Sequence, residues 1–225
     1  MPRPEEELIG TLREQGVDFT ASLPCEKFKT LLAMLPASFR HLPLTREEEG
    51  VGICAGAALA GKRPALFIQS SGVGNMINAL LSLTQFYELP LVLFVSRRGF
   101  YQEKIAAQFP MGQRLPEILT GAGIGWTEVN TRDDLARVRD LLVEAYRSNR
   151  VHAFLLSPAV WEGSECQMPE TAGRAGNVKA CVAGGSEREV GTVPNPTLTR
   201  YDVIRALVPY LDRKVVVSNL GWPSK

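Results

Sequence analysis

Strand-like and helix-like segments alternate within residues 42–99, and this alternation constrains the fold more than any other feature. Three apolar runs there are short enough to be buried strands, at residues 41–44, 64–69 and 89–96. A helical pattern begins after Thr45 and stops at Gly61, and a second helix is predicted at residues 76–85. Strands joined through helices of this length pair in parallel by right-handed crossovers.

The same alternation continues on both sides of this segment. Helices are predicted at residues 5–15, 27–35, 115–119 and 133–147, and a polar loop at 100–112. Three further strands are predicted at 17–23, 126–129 and 153–156. Residues 1–162 are therefore predicted to form one α/β domain, a doubly wound, mostly parallel sheet of six strands.

Beyond this domain the composition changes. Residues 163–197 are rich in Gly, Ser, Pro, Glu and Thr and are predicted to be a flexible linker. A second periodic unit follows at 198–225, with a helix at 201–211 and a strand at 215–218. One helix and one strand bury little surface, so we expect this unit to be an incomplete domain.

Composition excludes several classes of protein. The net charge of +1 gives no support to binding of nucleic acid or of a membrane surface, and no apolar run approaches the roughly 20 residues of a membrane span. The acidic first residues lack the apolar core of a signal peptide, so a cytoplasmic location is expected. The four cysteines have no C-x-x-C spacing, and no metal site is predicted in this chain.

Candidate functional residues follow three of the strands. An acidic run, Glu47 to Glu49, lies after the strand at 41–44, a glycine-rich turn at 70–75 follows the next strand, and two arginines follow the third. Ligands of open parallel sheets bind beyond these carboxyl ends. Simpler interpretations exist, because Thr45 and Glu48 have capping-box spacing and acidic side chains suit the first turn of a helix.

The stretches REEEGVGICAGAALAGKRPALFIQSSGVGNMINALLSL, YELPLVLFVSRRG and EKIAAQFPMG together resemble the pyrimidine-binding domain of thiamine-diphosphate enzymes. The similarity runs from about residue 16 to 161 and is strongest to the alpha part of sulfopyruvate decarboxylases, with phosphonopyruvate decarboxylases as relatives. The predicted strand count agrees with the domain of this family. The resemblance implies thiamine diphosphate as the cofactor and a 2-oxo acid as the substrate.

The resemblance also implies a catalytic role for Glu47. In the family, a glutamate nine residues before a helix glycine, here Gly56, hydrogen-bonds the aminopyrimidine ring and promotes its reactive tautomer. A buried carboxyl group suits that role, because it must share a proton rather than remain a solvated anion. Glu48 and Glu49 are expected to serve as a capping residue and a surface residue.

Six further residues are implied to lie near the cofactor. They are Pro24 and Cys25 after the first strand, and Gln69, Ser71, Gly72 and Asn75 in the glycine-rich turn. Glycines let a backbone approach a ligand closely. Without the resemblance, an ordinary turn and a small buried cysteine would explain these residues as well.

Arg98 and Gln108 are the candidate substrate-binding residues. A sulfonated or phosphonated 2-oxo acid carries two negative groups, and Arg binds such groups through paired hydrogen bonds. A structural salt bridge is the alternative for Arg98. Arg97 stands where the family more often has tryptophan, so it either adds charge recognition or is exposed. The loop at 100–112 is either a substrate cover or a plain surface connection.

The resemblance implies a partner as well. In the family, a diphosphate-binding domain holds Mg²⁺ and the diphosphate through a Gly-Asp-Gly segment, and this sequence contains none. Residues 198–225 resemble only the start of such a domain. We therefore expect a diphosphate-binding beta subunit or domain to hold the Mg²⁺, in a hetero-oligomer of at least two copies of each chain, unless the chain is a shortened form of a fused protein.

The predicted function is decarboxylation of 3-sulfopyruvate to sulfoacetaldehyde and CO₂, a step in coenzyme M biosynthesis. The FPMG segment at 109–112 favours it over the alternative, phosphonopyruvate decarboxylase. A truncated, non-catalytic partner-binding protein is a third possibility. A nucleotide-binding Rossmann protein is disfavoured, because no G-x-G-x-x-G follows the first strand.

Overall fold

The computed structural model describes residues 2–164 and position 205. Its helices are α1 Pro4–Glu14, α2 Lys29–Ser38, α3 Glu47–Leu59, α4 Ser70–Ala79, α5 Phe109–Gly121 and α6 Leu135–Arg147. Its strands are β1 Phe19–Ser22, β2 Arg40–Pro43, β3 Pro64–Gln69, β4 Leu91–Ser96, β5 Gly125–Val129 and β6 Val151–Leu156. The predictions for the linker and for residues 198–225 fall almost entirely outside the described part of the chain.

The six strands form one sheet in the order β2-β1-β3-β4-β6-β5. Every neighbouring pair is parallel, so the predicted α/β fold is confirmed. The strand order reverses direction between β1 and β3 and again between β4 and β6. At such reversals the loops leave toward opposite faces and open a crevice at the carboxyl edge of the sheet.

Two apolar cores sandwich the sheet, because successive side chains of a strand point to opposite faces. Helices α1, α2 and α6 cover one face, where Phe67, Phe94 and Phe154 of three adjacent strands stack with ring centroids 4.9 and 5.2 Å apart. Helices α3, α4 and α5 cover the other face, where Leu66 and Ile68 are fully buried.

Two segments that were predicted as turn or loop are partly helical. Residues 70–75 form the first turns of α4 rather than a glycine-rich turn, and the helix begins directly at the end of β3. The polar loop ends before residue 106, where a 3₁₀ turn at Ala106–Gln108 leads into α5. The predicted helix at 115–119 is thus only the end of a longer one, whose first turn contains Pro110, a residue that fits there because its missing N–H is not needed.

No helix in the described residues is long and apolar enough to cross a membrane.

Candidate functional site

Glu47 is the first residue of α3 and lies beside the first turn of α4. Its Oε2 accepts a hydrogen bond of 3.1 Å from Nδ2 of Asn75, so two side chains predicted for the site are in contact. The Glu47 side chain is half-buried in this chain rather than buried as expected, and Asn75 is exposed. Both groups therefore lie on an accessible surface at the carboxyl edge of the sheet.

Gly72 makes this approach possible. A Cβ at position 72 would lie 2.6 Å from Oε1 and 2.7 Å from Cγ of Glu47, well inside contact distance. Glycine in a helix interior destabilises the helix by about 0.5–1 kcal/mol relative to alanine. At position 72 this cost is offset by the close packing of Glu47, which a side chain would prevent. The acidic side chain and the start of α4 are therefore packed as one unit.

Gly72→Ala is expected to separate stability from function. The added methyl displaces the flexible Glu47 carboxylate while the helix gains propensity, so the free energy of unfolding should stay within about 1 kcal/mol of wild type. A misplacement of about 1 Å can reduce a rate by roughly 100-fold, and we expect a 10- to 100-fold loss of activity in the assembled enzyme. Thermal unfolding and steady-state kinetics measure the two quantities.

Gly74→Ala is the matched control for this variant. It lies on the same helix, and its Cβ would meet only Met111 at an ordinary contact distance of 3.5 Å. Unchanged activity in Gly72→Ala, with normal activity in the control, would contradict a role for the Glu47 geometry.

The neighbouring acidic residues have other partners. Glu48 pairs with Arg46, and Glu49 accepts a 2.8 Å hydrogen bond from the hydroxyl of Thr45. The predicted capping box between Thr45 and Glu48 is therefore wrong, and the contact with Thr45 belongs to Glu49. Among the three acidic residues, Glu47 alone contacts residues of α4 that were predicted for the site.

The other predicted cofactor residues lie at the carboxyl ends of β1 and β3. Pro24 is exposed and Cys25 is buried at the end of β1, while Gln69 ends β3 and Ser71 is half-buried in the first turn of α4. Cys25 belongs to the core that covers one face of the sheet. The strand ends thus bring these residues to the same edge as Glu47, as predicted.

The two arginines after β4 are both buried and both paired. Arg97 donates from Nη1 to Oε1 of Glu128 at 2.5 Å, and its guanidinium lies 4.0 Å from the ring centroid of Phe100. Arg98 makes a two-pronged contact with Glu103, at 2.6 Å and 3.0 Å. Arg97 is therefore not the exposed residue that the sequence allowed.

This geometry supports the structural alternative for Arg98. The Arg98 side chain is 5% exposed and that of Glu103 is 3% exposed. Because the guanidinium and the carboxylate are buried against each other, neither is accessible to a substrate in this arrangement. The predicted substrate-binding role of Arg98 stays a prediction that the arrangement does not support. Gln108, the other candidate, is 2% exposed, and its Oε1 is buried without a hydrogen-bond partner in the described residues.

Electrostatics shows how tightly Glu103 is held. Burial alone would raise the pKa of Glu103, but hydrogen bonds from Arg98 and from the N–H groups of Ile105 and Gly99 outweigh it and lower the pKa to about 2. For Arg98, desolvation by burial is likewise outweighed by the contact with Glu103, and its pKa is raised.

Sequence reasoning missed the role of Ser70. Its hydroxyl accepts a 2.7 Å hydrogen bond from the N–H of Arg98 and donates to the carbonyl of Ser96 at 3.0 Å. The residue is fully buried and joins the start of α4 to the end of β4. A serine directly after a buried strand could have indicated this role, because backbone groups at the buried ends of neighbouring strands need hydrogen-bond partners.

No cluster of three or more His, Cys, Asp or Glu side chains that could hold a metal ion occurs among residues 2–164.

Comparison with known proteins identifies the family. The sequence model of one protein family, described as the thiamine pyrophosphate enzyme N-terminal TPP binding domain, matches residues 4–118. A sulfopyruvate decarboxylase of Methanosarcina acetivorans is 42% identical over 99% of this chain, which spans only 57% of that relative. Sulfopyruvate decarboxylase subunit alpha of Methanococcus maripaludis is 39% identical, over 70% of this chain and 96% of the relative.

A solved structure agrees with the fold. The benzoylformate decarboxylase of Polynucleobacter necessarius superposes with a TM-score of 0.55 at 19% identity, over 78% of this chain and 33% of that protein. At this identity the likeness bears on the fold alone. The resemblance inferred from residues 16–161 is confirmed by the sequence relatives, and the chain therefore belongs to the thiamine pyrophosphate enzymes, within the family of sulfopyruvate decarboxylase alpha subunits.

Proposed function

We propose that this chain is the pyrimidine-binding part of a thiamine-diphosphate-dependent decarboxylase that acts on 3-sulfopyruvate and releases CO₂ and sulfoacetaldehyde. The observation that carries the proposal is the Glu47 carboxylate, which Asn75 fixes through one oxygen and which Gly72 leaves room to lie against α4. The sulfopyruvate decarboxylases among the relatives supply the substrate class.

The residues at this edge fit the pyrimidine half of the cofactor. Asn75 donates a hydrogen bond to Oε2 of Glu47. No hydrogen bond from the described residues reaches Oε1, which lies against Gly72, so this oxygen keeps its hydrogen-bonding capacity for a ring nitrogen. Bound thiamine diphosphate supplies the nucleophilic carbon and the electron sink for decarboxylation. Glu47 then has one task, which is to hold and exchange a proton with the ring nitrogen N1′.

The remaining predicted residues act by position. Gln69, Ser71 and the loop at Pro24 and Cys25 would line the crevice that receives the ring, at the reversal of strand order between β1 and β3. The backbone N–H groups that begin α4 have no partners within the helix and favour an anionic or polar group nearby.

A partner is required to complete this site. The exposed side of α3 and of the segment after α4 carries Ile53, Leu59 and Leu81, beside the open surfaces of Gly52 and Gly56. Exposed apolar side chains beside unobstructed glycines suit a surface that a protein partner covers. We propose that a diphosphate-binding beta subunit or domain covers this face, holds the Mg²⁺ and forms a hetero-oligomer with this chain.

The test is a decarboxylation assay with thiamine diphosphate and Mg²⁺. The chain alone, and the chain mixed with a diphosphate-binding subunit of a sulfopyruvate decarboxylase, are each given 3-sulfopyruvate, phosphonopyruvate and pyruvate. We expect turnover of 3-sulfopyruvate in the mixture only. Faster turnover of phosphonopyruvate would replace 3-sulfopyruvate as the assigned substrate. A stable complex without turnover of any substrate would instead identify a non-catalytic partner-binding protein.

A further inference from the structure

The segment between β4 and α5 is fixed by contacts that the proposed site does not use. After β4 the chain forms a loop at residues 99–105, which we call the clamp loop, and returns through a 3₁₀ turn to the start of α5. A Cβ at Gly99 would lie 2.2 Å from the carbonyl oxygen of Gln108, and one at Gly112 would lie 1.7 Å from that of Arg98. The two ends of the segment are therefore in backbone contact, as in compact functional loops.

Glu103 is the centre of the clamp loop. Besides its two contacts with Arg98, its carboxylate accepts hydrogen bonds from the N–H groups of Gly99 at 3.3 Å, Lys104 at 3.0 Å and Ile105 at 3.0 Å. One buried side chain thus organises both halves of the loop. Hydrogen bonds to this carboxylate therefore fix the backbone conformation of the loop.

The clamp loop is tied to the proposed cofactor site through Ser70. Arg98 donates its backbone N–H to the Ser70 hydroxyl, and Ser70 is the first residue of the helix that carries Gly72 and Asn75. On its other side, the loop contributes Tyr101 and Gln102 to a cleft of about 310 Å³ at the carboxyl edge of the sheet. The loop therefore borders a cleft beside the residues that follow β1 and β6, at the edge of the sheet where ligands of this fold bind.

We propose that Glu103 is a positioning residue for the decarboxylation, acting through Arg98 and the clamp loop to set the substrate side of the site before substrate binds. The inference rests on the proposed function and refines it. A buried, paired carboxylate with five hydrogen bonds makes the loop a preset wall rather than a mobile lid, and a preset wall lowers the cost of binding because little remains to be ordered.

The test compares Glu103→Gln with wild type in the complex with the diphosphate-binding subunit. Glutamine keeps the shape but loses the charge, so the loop loosens and the KM for the 2-oxo acid should rise about tenfold, while the affinity for thiamine diphosphate stays unchanged. Hydrogen exchange at the amides of residues 99, 104 and 105 should accelerate by a similar or larger factor.

Two further variants keep the test decisive. Val138→Ala, on the buried face of α6, lowers stability through a cavity alone and should leave KM and the three amides unchanged. Arg98→Lys keeps the charge but loses the two-pronged geometry, and should shift KM and exchange in the same direction by a smaller factor, even if Glu103→Gln does not fold.

The outcomes are distinguishable from those of the proposed function. A wild-type complex that decarboxylates nothing would refute the proposed function and, with it, the catalytic part of this inference. Active wild type with an unaltered KM in Glu103→Gln, or slow exchange retained at all three amides, would overturn the positioning role while leaving the decarboxylase proposal intact.

Discussion

Replacing Glu47 by glutamine is expected to lower the decarboxylation rate by about 10²- to 10⁴-fold, the range for loss of a group that transfers a proton in the transition state. Glutamine has nearly the same size and can still accept the hydrogen bond from Asn75, so the packing against Gly72 should survive. What it loses is the ability to hold and return a proton at the pyrimidine nitrogen.

The measurement is a steady-state assay of the complex with 3-sulfopyruvate, together with thermal unfolding of each variant. Glu48→Gln and Glu49→Gln are the matched controls, because they change the same chemical group within the same helical turn. Their side chains contact Arg46 and Thr45 rather than α4. Each control should therefore retain activity within about twofold of wild type, as is usual for surface substitutions.

Two results would contradict the assignment of Glu47. One is near-normal turnover in Glu47→Gln with cofactor at saturation, which would remove the carboxylate from the chemistry. The other is an equal loss in all three glutamine variants, which would point to the charge of the helix start rather than to one proton-transferring group.

The sequence predicted the sheet well because its central strands are buried on both faces. Continuous apolar runs such as β3 and β4 have few alternatives to a central parallel strand, and the helices between them fix the direction of pairing. The start of α4 was missed because Ser70, Gly72 and Gly74 are poor helix formers. Packing against α3 and the hydrogen bonds of Ser70 outweigh that preference.

The candidate site was predicted in part for a comparable reason. Residues at the ends of neighbouring parallel strands converge, so Glu47 and Asn75 could be placed together without a structure. The partners of Arg97 and Arg98 could not be predicted in this way. Glu128, which pairs with Arg97, lies 31 residues away on the edge strand β5, and helical or strand periodicity carries no information about such a contact.

Removing one member of the Arg98–Glu103 pair should produce the largest loss of stability among the variants considered. Glu103→Gln leaves a buried guanidinium without its counter-charge, and such changes cost about 3–5 kcal/mol in the free energy of unfolding. Chemical denaturation of the isolated chain, monitored by circular dichroism, measures this loss. Glu144→Gln is the control, since its pair with Arg147 is exposed and should contribute less than about 1 kcal/mol.

The same pair gives a pH signature. The pKa of Glu103 is lowered from 4.5 to about 2 in the folded chain, so the unfolded chain binds its proton first as the pH falls. The stability contributed by this carboxylate is therefore complete above pH 4.5 and is lost progressively toward pH 2. Glu103→Gln should lack this component, and the difference in unfolding free energy between the two proteins should shrink across that window.

A double replacement separates the energetic role of the pair from its positioning role. Apolar residues of similar volume often replace a buried ion pair without loss, so Arg98→Met combined with Glu103→Leu should recover most of the stability that Glu103→Gln loses. The double variant still removes the acceptor for the N–H groups of Gly99, Lys104 and Ile105, and its clamp loop should stay loose. Recovery of stability together with a wild-type KM would show that apolar packing at positions 98 and 103 is enough to hold the clamp loop for substrate binding. Recovery of stability with a raised KM would mean that the carboxylate is retained for the shape of the loop rather than for the stability of the fold.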